Sequence, residues 1–296
     1  MISVIDGEPR TATAPEPAAA PEAASAAEPA ATAKAVPAPR RSRSAAKRAA
    51  QRRRRRAATL FRFDRELGAW YVAGADEAGR GSLAGPLVAA AVLIDYERMG
   101  LSDRRALGTL DDSKQRTAEE REKLYPVVVR AAARVAVTVR CVRGIDRRGL
   151  HNTNLDALAR CLDRVAVPGA ICLSDGFSLG RRCGVEHRAV IDGDARSAAI
   201  AAASVIAKVT RDRYMCRIAD AYPGFGFDEN VGYSTPEHRA AIVELGPSDL
   251  HRRSFASIAY SQLALEGAAD VLPLGDAAAS VEPQADDVEA DRVEAG

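Results

Sequence analysis

The chain has 296 residues, 28% of them charged, and a formal net charge of +2 that conceals opposite charge at its two ends. No apolar run reaches the length of a membrane span or of a signal-peptide core, so a cytosolic protein with no membrane partner is expected. Five cysteines at wide spacings (Cys141, Cys161, Cys172, Cys183, Cys216) fit neither a disulfide framework nor a CxxC zinc site, and the four histidines show no ligand spacing such as HExxH.

Met1 to about Ala58 consists of Ala, Pro, Ser, Thr and charge without apolar periodicity. Such a segment cannot bury enough surface to offset the entropy of ordering, and disorder is expected for residues 1–58. Within it, Lys34 to Arg56 carries many cations and no acid, ending in five consecutive arginines, Arg52 to Arg56. An arm of this kind either condenses onto phosphate backbones without reading sequence or only solubilises the chain. At the other end, residues 266–296 set eight acids from Asp270 to Glu294 against Arg292 alone, which reads as an acidic, solvated tail. One folded domain with a C-terminal helical part is expected over residues 59–265.

Inside that domain, Trp70 to Ala75 is a β-prone run ending at Asp76, and Leu87 to Ile94 is a second run of strand length. A helix from about Thr117 to Ala132 opens on the capping sequence Thr117-Ala118-Glu119-Glu120, and a third strand follows over Arg134 to Val142. A helix is expected from Leu155 to about Val165, then a buried strand over Ala170 to Ser174 and another over Arg188 to Ile191. Ser197 to Ala219 reads as a helix rich in small residues, and Pro236 to Leu245 as a short one. Strands first, then strand and helix in alternation, predict an α/β fold in which helices cover a mixed sheet.

Three separate segments put acids at the carboxyl end of a predicted strand: Asp76 with Glu77, Asp175, and Asp194. In open α/β sheets that edge is where sites form. A lone acid there is usually a cap or a turn former, but neighbouring carboxylates repel one another unless a cation intervenes, so a cluster points to divalent metal. Oxygen-only donors favour Mg²⁺ or Mn²⁺ over Zn²⁺. Side chains of consecutive strand residues point to opposite faces, so Asp76 and Glu77 reach one site together only where the strand ends. The glycines of Asp76-Glu77-Ala78-Gly79-Arg80-Gly81 allow such a break.

With these blocks in view, the chain resembles ribonuclease HII, the type 2 ribonuclease H. The likeness rests on Asp76 to Gly81 with Ala84-Gly85-Pro86-Leu87, on Asp112-Ser113-Lys114, on Leu173 to Gly176, on Gly193-Asp194-Ala195, on Ala202 to Asp212, on Gly232 to His238, and on His251 to Phe255. Order and spacing both agree across essentially the whole folded part. The resemblance implies a ribonuclease-H-like fold, with a five-stranded mixed sheet and a C-terminal helical extension. It implies that Asp76, Glu77, Asp175 and Asp194 are the catalytic, metal-binding carboxylates, holding two Mg²⁺ or Mn²⁺ ions. Gly79, Arg80 and Gly81 would sense the ribose 2′-hydroxyl, and Tyr233 would pack against the sugar of the following deoxynucleotide. Lys114, Lys208 and Arg211 would be phosphate contacts, the last two having an equal reading as helix salt bridges. Asp192 stands where the family usually has a basic residue, which makes it a rival to Asp194 as ligand.

The implied activity is that of an endoribonuclease acting by two-metal-ion hydrolysis: it degrades the RNA strand of RNA–DNA hybrids and incises duplex DNA 5′ to an embedded ribonucleotide, leaving 3′-hydroxyl and 5′-phosphate ends. A monomer acting on hybrid and on ribonucleotide-containing duplex is expected. Three rival readings are a junction nuclease of the same superfold, a non-catalytic nucleic-acid-binding protein relying on the arginine-rich arm, and a type 3 ribonuclease H, which would carry a folded N-terminal binding domain.

Overall fold

The computed structural model describes residues 43–108, 110 and 117–255. Lys114, the acidic tail and the first 42 residues lie outside the described residues.

Five strands form one sheet: β1 (Tyr71–Ala78), β2 (Leu87–Asp95), β3 (Arg134–Arg140), β4 (Ile171–Asp175) and β5 (His187–Val190), in the order β3-β2-β1-β4-β5. β1 pairs antiparallel with β2, and β2 with β3, while β4 runs parallel to β1, and β5 to β4. This is the expected mixed sheet. The helices in chain order are α1 (Arg43–Glu66), α2 (Leu101–Ala106), α3 (Ala118–Ala131), α4 (Val142–Arg148), α5 (Leu150–Val165), α6 (Ala198–Ile218) and α7 (Pro236–Leu245). None of the described helices is long and apolar enough to cross a membrane.

Alternation along β1 sorts its side chains between two cores. Val72 faces the layer made by α6, whereas Ala73 and Ala75 face α5 with Leu158 and Leu162. Small residues let α6 press close to the sheet: a Cβ on Gly74 would overlap the backbone of Ala199 and Ile200. That contact sets the distance between the end of β1 and the side chains of α6. Helix α6 is capped by Ser197, whose hydroxyl accepts from the Ile200 amide, and α3 by Thr117, whose hydroxyl accepts from the Glu120 amide.

The N-terminal boundary differs from expectation. Residues Arg43–Ala58, expected to be disordered, are helical and continue into the domain as α1. Ala57, Leu60 and Phe61 are buried, and Asp64 on the same stripe is fully buried, its Oδ2 accepting from the Tyr96 hydroxyl (2.8 Å) and from the Ala199 amide (3.0 Å). Burial raises the Asp64 carboxyl to about 6 against the pull of its hydrogen bonds from Ser197, Tyr96 and Ala199.

Candidate active site

Parallel pairing of β1 with β4 carries Ala75 opposite Ser174, so the next residues, Asp76 and Asp175, come side by side at the carboxyl ends of the two central strands. β1 does not break there: it stays paired with β2 as far as Ala78↔Val88. Asp76 and Glu77 therefore point to opposite faces, and both line the same cleft because β4 stops at Asp175 and leaves that edge of β1 open. The cleft has a volume of about 780 Å³.

Asp76 is buried, and its Oδ1 accepts from the Glu77 amide (2.7 Å). Its carboxyl is held well above the ordinary range, first by burial and then by the negative charges of Glu77 and Asp175, while a hydrogen bond from Ser204 on α6 opposes the shift. Asp175 Oδ1 accepts from the Gly193 amide (2.7 Å), which pins the 3-10 turn Gly193–Ala195 against the end of β4. Asp194 follows directly and is buried (2% exposed). Asp192 is exposed, at a left-handed φ of 51°.

Sequence and structure thus agree on Asp76, Glu77 and Asp175 as neighbours, and Asp194 stands one residue from an Asp175 contact. Among the described residues, no three His, Cys, Asp or Glu side chains close around one point as a metal shell. The donor chemistry nonetheless fits a hard cation: the described residues lining the cleft include three carboxylates and neither His nor Cys. A cation between them would also relieve the repulsion that raises Asp76.

The rim is made by the turn after Glu77. Gly79 has φ +82°, a left-handed conformation that glycine adopts without penalty, and the Ser82 hydroxyl donates to its carbonyl (3.0 Å). Arg80 is exposed and stacks its guanidinium 4.6 Å from the centroid of the Phe177 ring, which also lines the cleft. Phe177 escaped the sequence reading; its only signal is an aromatic residue two places after Asp175. Ser204 escaped it too, since a serine inside a run of small helical residues looks like packing. Across the cleft stands Tyr233, with the Lys208 ammonium 4.5 Å from its ring centroid and 3.4 Å from its hydroxyl. Lys208 also pairs with Asp212 one helical turn on (3.1 Å), so it faces the cleft while serving as a helix salt bridge. Arg211 is corrected: it is fully buried, makes its hydrogen bonds to protein groups, and is not a phosphate contact.

The family model for Ribonuclease HII matches residues 73–258. The chain belongs to the ribonuclease HII family. It is accordingly a ribonuclease H, and the matched span holds every carboxylate just described together with the Gly79–Gly81 turn and Tyr233. Helix α1 lies ahead of that span. Among relatives of the ribonuclease HII family, the Ribonuclease HII of Rhizobium leguminosarum bv. trifolii is 47% identical over 191 residues, covering 64% of this chain and 80% of that protein. The ribonuclease H2 of Pyrococcus horikoshii superposes with a TM-score of 0.55 at 26% identity, covering 66% of this chain and 99% of that one. The ribonuclease HII in the PCNA:RNase HII complex from Archaeoglobus fulgidus gives 0.55 at 27% identity, with 65% and 96% covered. The ribonuclease-H-like fold follows from these likenesses.

Proposed function

We propose that this enzyme cuts the RNA strand of RNA–DNA hybrids and also incises duplex DNA on the 5′ side of an embedded ribonucleotide. The observation that supports it most is the parallel register Ala75↔Ser174, which brings Asp76, Glu77 and Asp175 to one cleft whose rim carries the Gly79–Gly81 turn and Tyr233.

In this reading Asp76, Glu77, Asp175 and Asp194 hold two Mg²⁺ or Mn²⁺ ions. When bound, such ions activate water and stabilise a leaving 3′ oxygen, a chemistry that needs no nucleophilic side chain. The chain's own work is positioning. Asp76 is kept in place by Ser204 and by the Glu77 amide, and Asp175 by the Gly193 amide. Backbone groups of Gly79, Arg80 and Gly81 meet the 2′-hydroxyl, the group by which a protein tells RNA from DNA at one position. Tyr233 packs against the next sugar, and Lys208, beside it in the cleft, contacts phosphate, a role to which Lys114 also belongs. Specificity is for sugar rather than base, and the products carry 3′-hydroxyl and 5′-phosphate ends.

The test is an end-labelled DNA duplex with one internal ribonucleotide, incubated with Mg²⁺ or Mn²⁺ and then with chelator. The expected result is one metal-dependent cut 5′ to the ribonucleotide, with a 3′-hydroxyl on the upstream fragment. A cut on the 3′ side, or equal cutting of an all-DNA duplex, would overturn the reading.

A further inference from the structure

The turn after Glu77 and the loop carrying Tyr233 are far apart in sequence, yet one side chain is bonded to both. Arg211 on α6 is fully buried. Its Nε donates to Pro86 O (3.0 Å), and its Nη2 to Ser82 Oγ (2.8 Å) and Ala84 O (3.0 Å). Its Nη1 donates to Val231 O (2.9 Å). Ser82 passes the connection on, since its hydroxyl also donates to Gly79 O. The guanidinium occupies the space beneath Gly79 so closely that a Cβ there would overlap Arg211 Nε. Its Cζ lies 5.1 Å from the centroid of the Tyr233 ring.

Two further features show that this geometry is held rather than merely adopted. Val231 has φ +43°, a left-handed conformation unfavourable for a β-branched residue, and its carbonyl is the one that Arg211 fixes. From the other side of the turn, buried Arg252 donates to Arg80 O (3.0 Å) and twice to Gly85 O (3.1 and 3.0 Å). Burying a guanidinium is a poor way to gain stability, because apolar side chains of similar volume usually serve as well. A planar fork with fixed donor directions is a good way to set distances between two loops.

We propose that Arg211 is a positioning residue for ribonucleotide recognition, setting the separation between the backbone groups of Gly79–Gly81 and the Tyr233 ring so that a ribose and the sugar after it are read together. This rests on the reading of the cleft under Proposed function. Lysine keeps the charge at this position but cannot reach all four acceptors.

The test uses the full chain with Mg²⁺, measuring kcat and KM on a duplex with one ribonucleotide and on a continuous RNA–DNA hybrid, for wild type, Arg211→Lys and Ser82→Ala. Arg211→Lys is expected to lower the ratio of kcat/KM for the single-ribonucleotide duplex over the hybrid by about tenfold, and Ser82→Ala by about fivefold, the worth of one hydrogen bond. Should Arg211→Lys fail to fold, Ser82→Ala decides. A ratio within about twofold of wild type in the folded variants, including an equal loss on both substrates, would reduce Arg211 to a structural residue and overturn the proposal. A wild type that does not cut beside the single ribonucleotide overturns instead the reading beneath it.

Discussion

Replacing His251 by glutamine should change how stability depends on pH, and the structure sets the size of the effect. His251 and His238 are both buried, with their Nε2 atoms 3.1 Å apart. The neighbouring bonds fix which nitrogen carries each proton. His238 Nδ1 donates to Tyr233 O (2.8 Å), so its Nε2 accepts from His251 Nε2; His251 Nδ1 then accepts from the Ser248 amide (2.9 Å) and hydroxyl (2.8 Å). The pattern suits two neutral rings. Burial, followed by the neighbouring His238, pushes His251 down to about 4 from an ordinary 6.5, with Ser248 and Asp249 opposing, and burial lowers His238 as well. With the folded value depressed, the unfolded chain takes up the proton first, so stability is intact above the unfolded value and is lost as pH falls from about 6.5 towards 4. For His251 alone the loss between about pH 7.5 and about pH 5 is about 2 kcal/mol. Glutamine can accept from Ser248 and donate to His238 without titrating in this range. In urea unfolding, the stability of His251→Gln relative to wild type should therefore rise by about 2 kcal/mol over that interval. Comparing the two proteins cancels groups such as Asp64 that titrate in the opposite direction. Parallel pH profiles for the two proteins would refute the assignment of neutral, buried rings.

Asp64 gives the opposite sign. Its folded value of about 6 lies above the ordinary 3.8, so its contribution is present at low pH and is lost as pH rises through about 6. Thermal or urea unfolding of Asp64→Asn should show the variant gaining about 2 to 3 kcal/mol on wild type between about pH 4 and about pH 7; no gain would mean that the carboxyl is not buried against α6. Gly79→Ala should lose about 2 to 3 kcal/mol, combining the cost of a side chain at positive φ with displacement of the Arg211 hydrogen bonds, and should lose cleavage as well. Stability equal to wild type would contradict the close approach of Arg211 to that turn.

Much of the sheet was legible because its strands are short apolar runs bounded by acids and glycines. β2, expected over Leu87 to Ile94, runs Leu87–Asp95, and α7 spans Pro236–Leu245 as expected. The misses have physical causes. α1 was hidden because five consecutive arginines dominate its composition, although Ala57, Leu60, Phe61 and Asp64 recur at helical spacing and all four are buried. Helix α4, Val142–Arg148, has no counterpart in the sequence reading, which carries the third strand to Val142 and places no element before Leu155, since a seven-residue helix carries little periodicity. At the site, strand-end acids were visible because charge at the end of an apolar run is conspicuous. Arg211 misled because a cation on a helix one residue from Asp212 looks like a surface group, and only the fold shows carbonyls from residues 84, 86 and 231 converging on it. Pairing of β1 through Ala78 could not be read from glycines that suggest an earlier break.

The central claim is that distant carboxylates jointly seat divalent ions in the cleft, and calorimetric titration of Mn²⁺ into the protein at neutral pH tests it most directly. Wild type and Asp192→Asn should bind alike, while Asp175→Asn and Asp194→Asn should each bind at least about tenfold more weakly, a loss of about 1.4 kcal/mol. Undiminished binding by Asp175→Asn, or a loss confined to Asp192→Asn, would contradict the account.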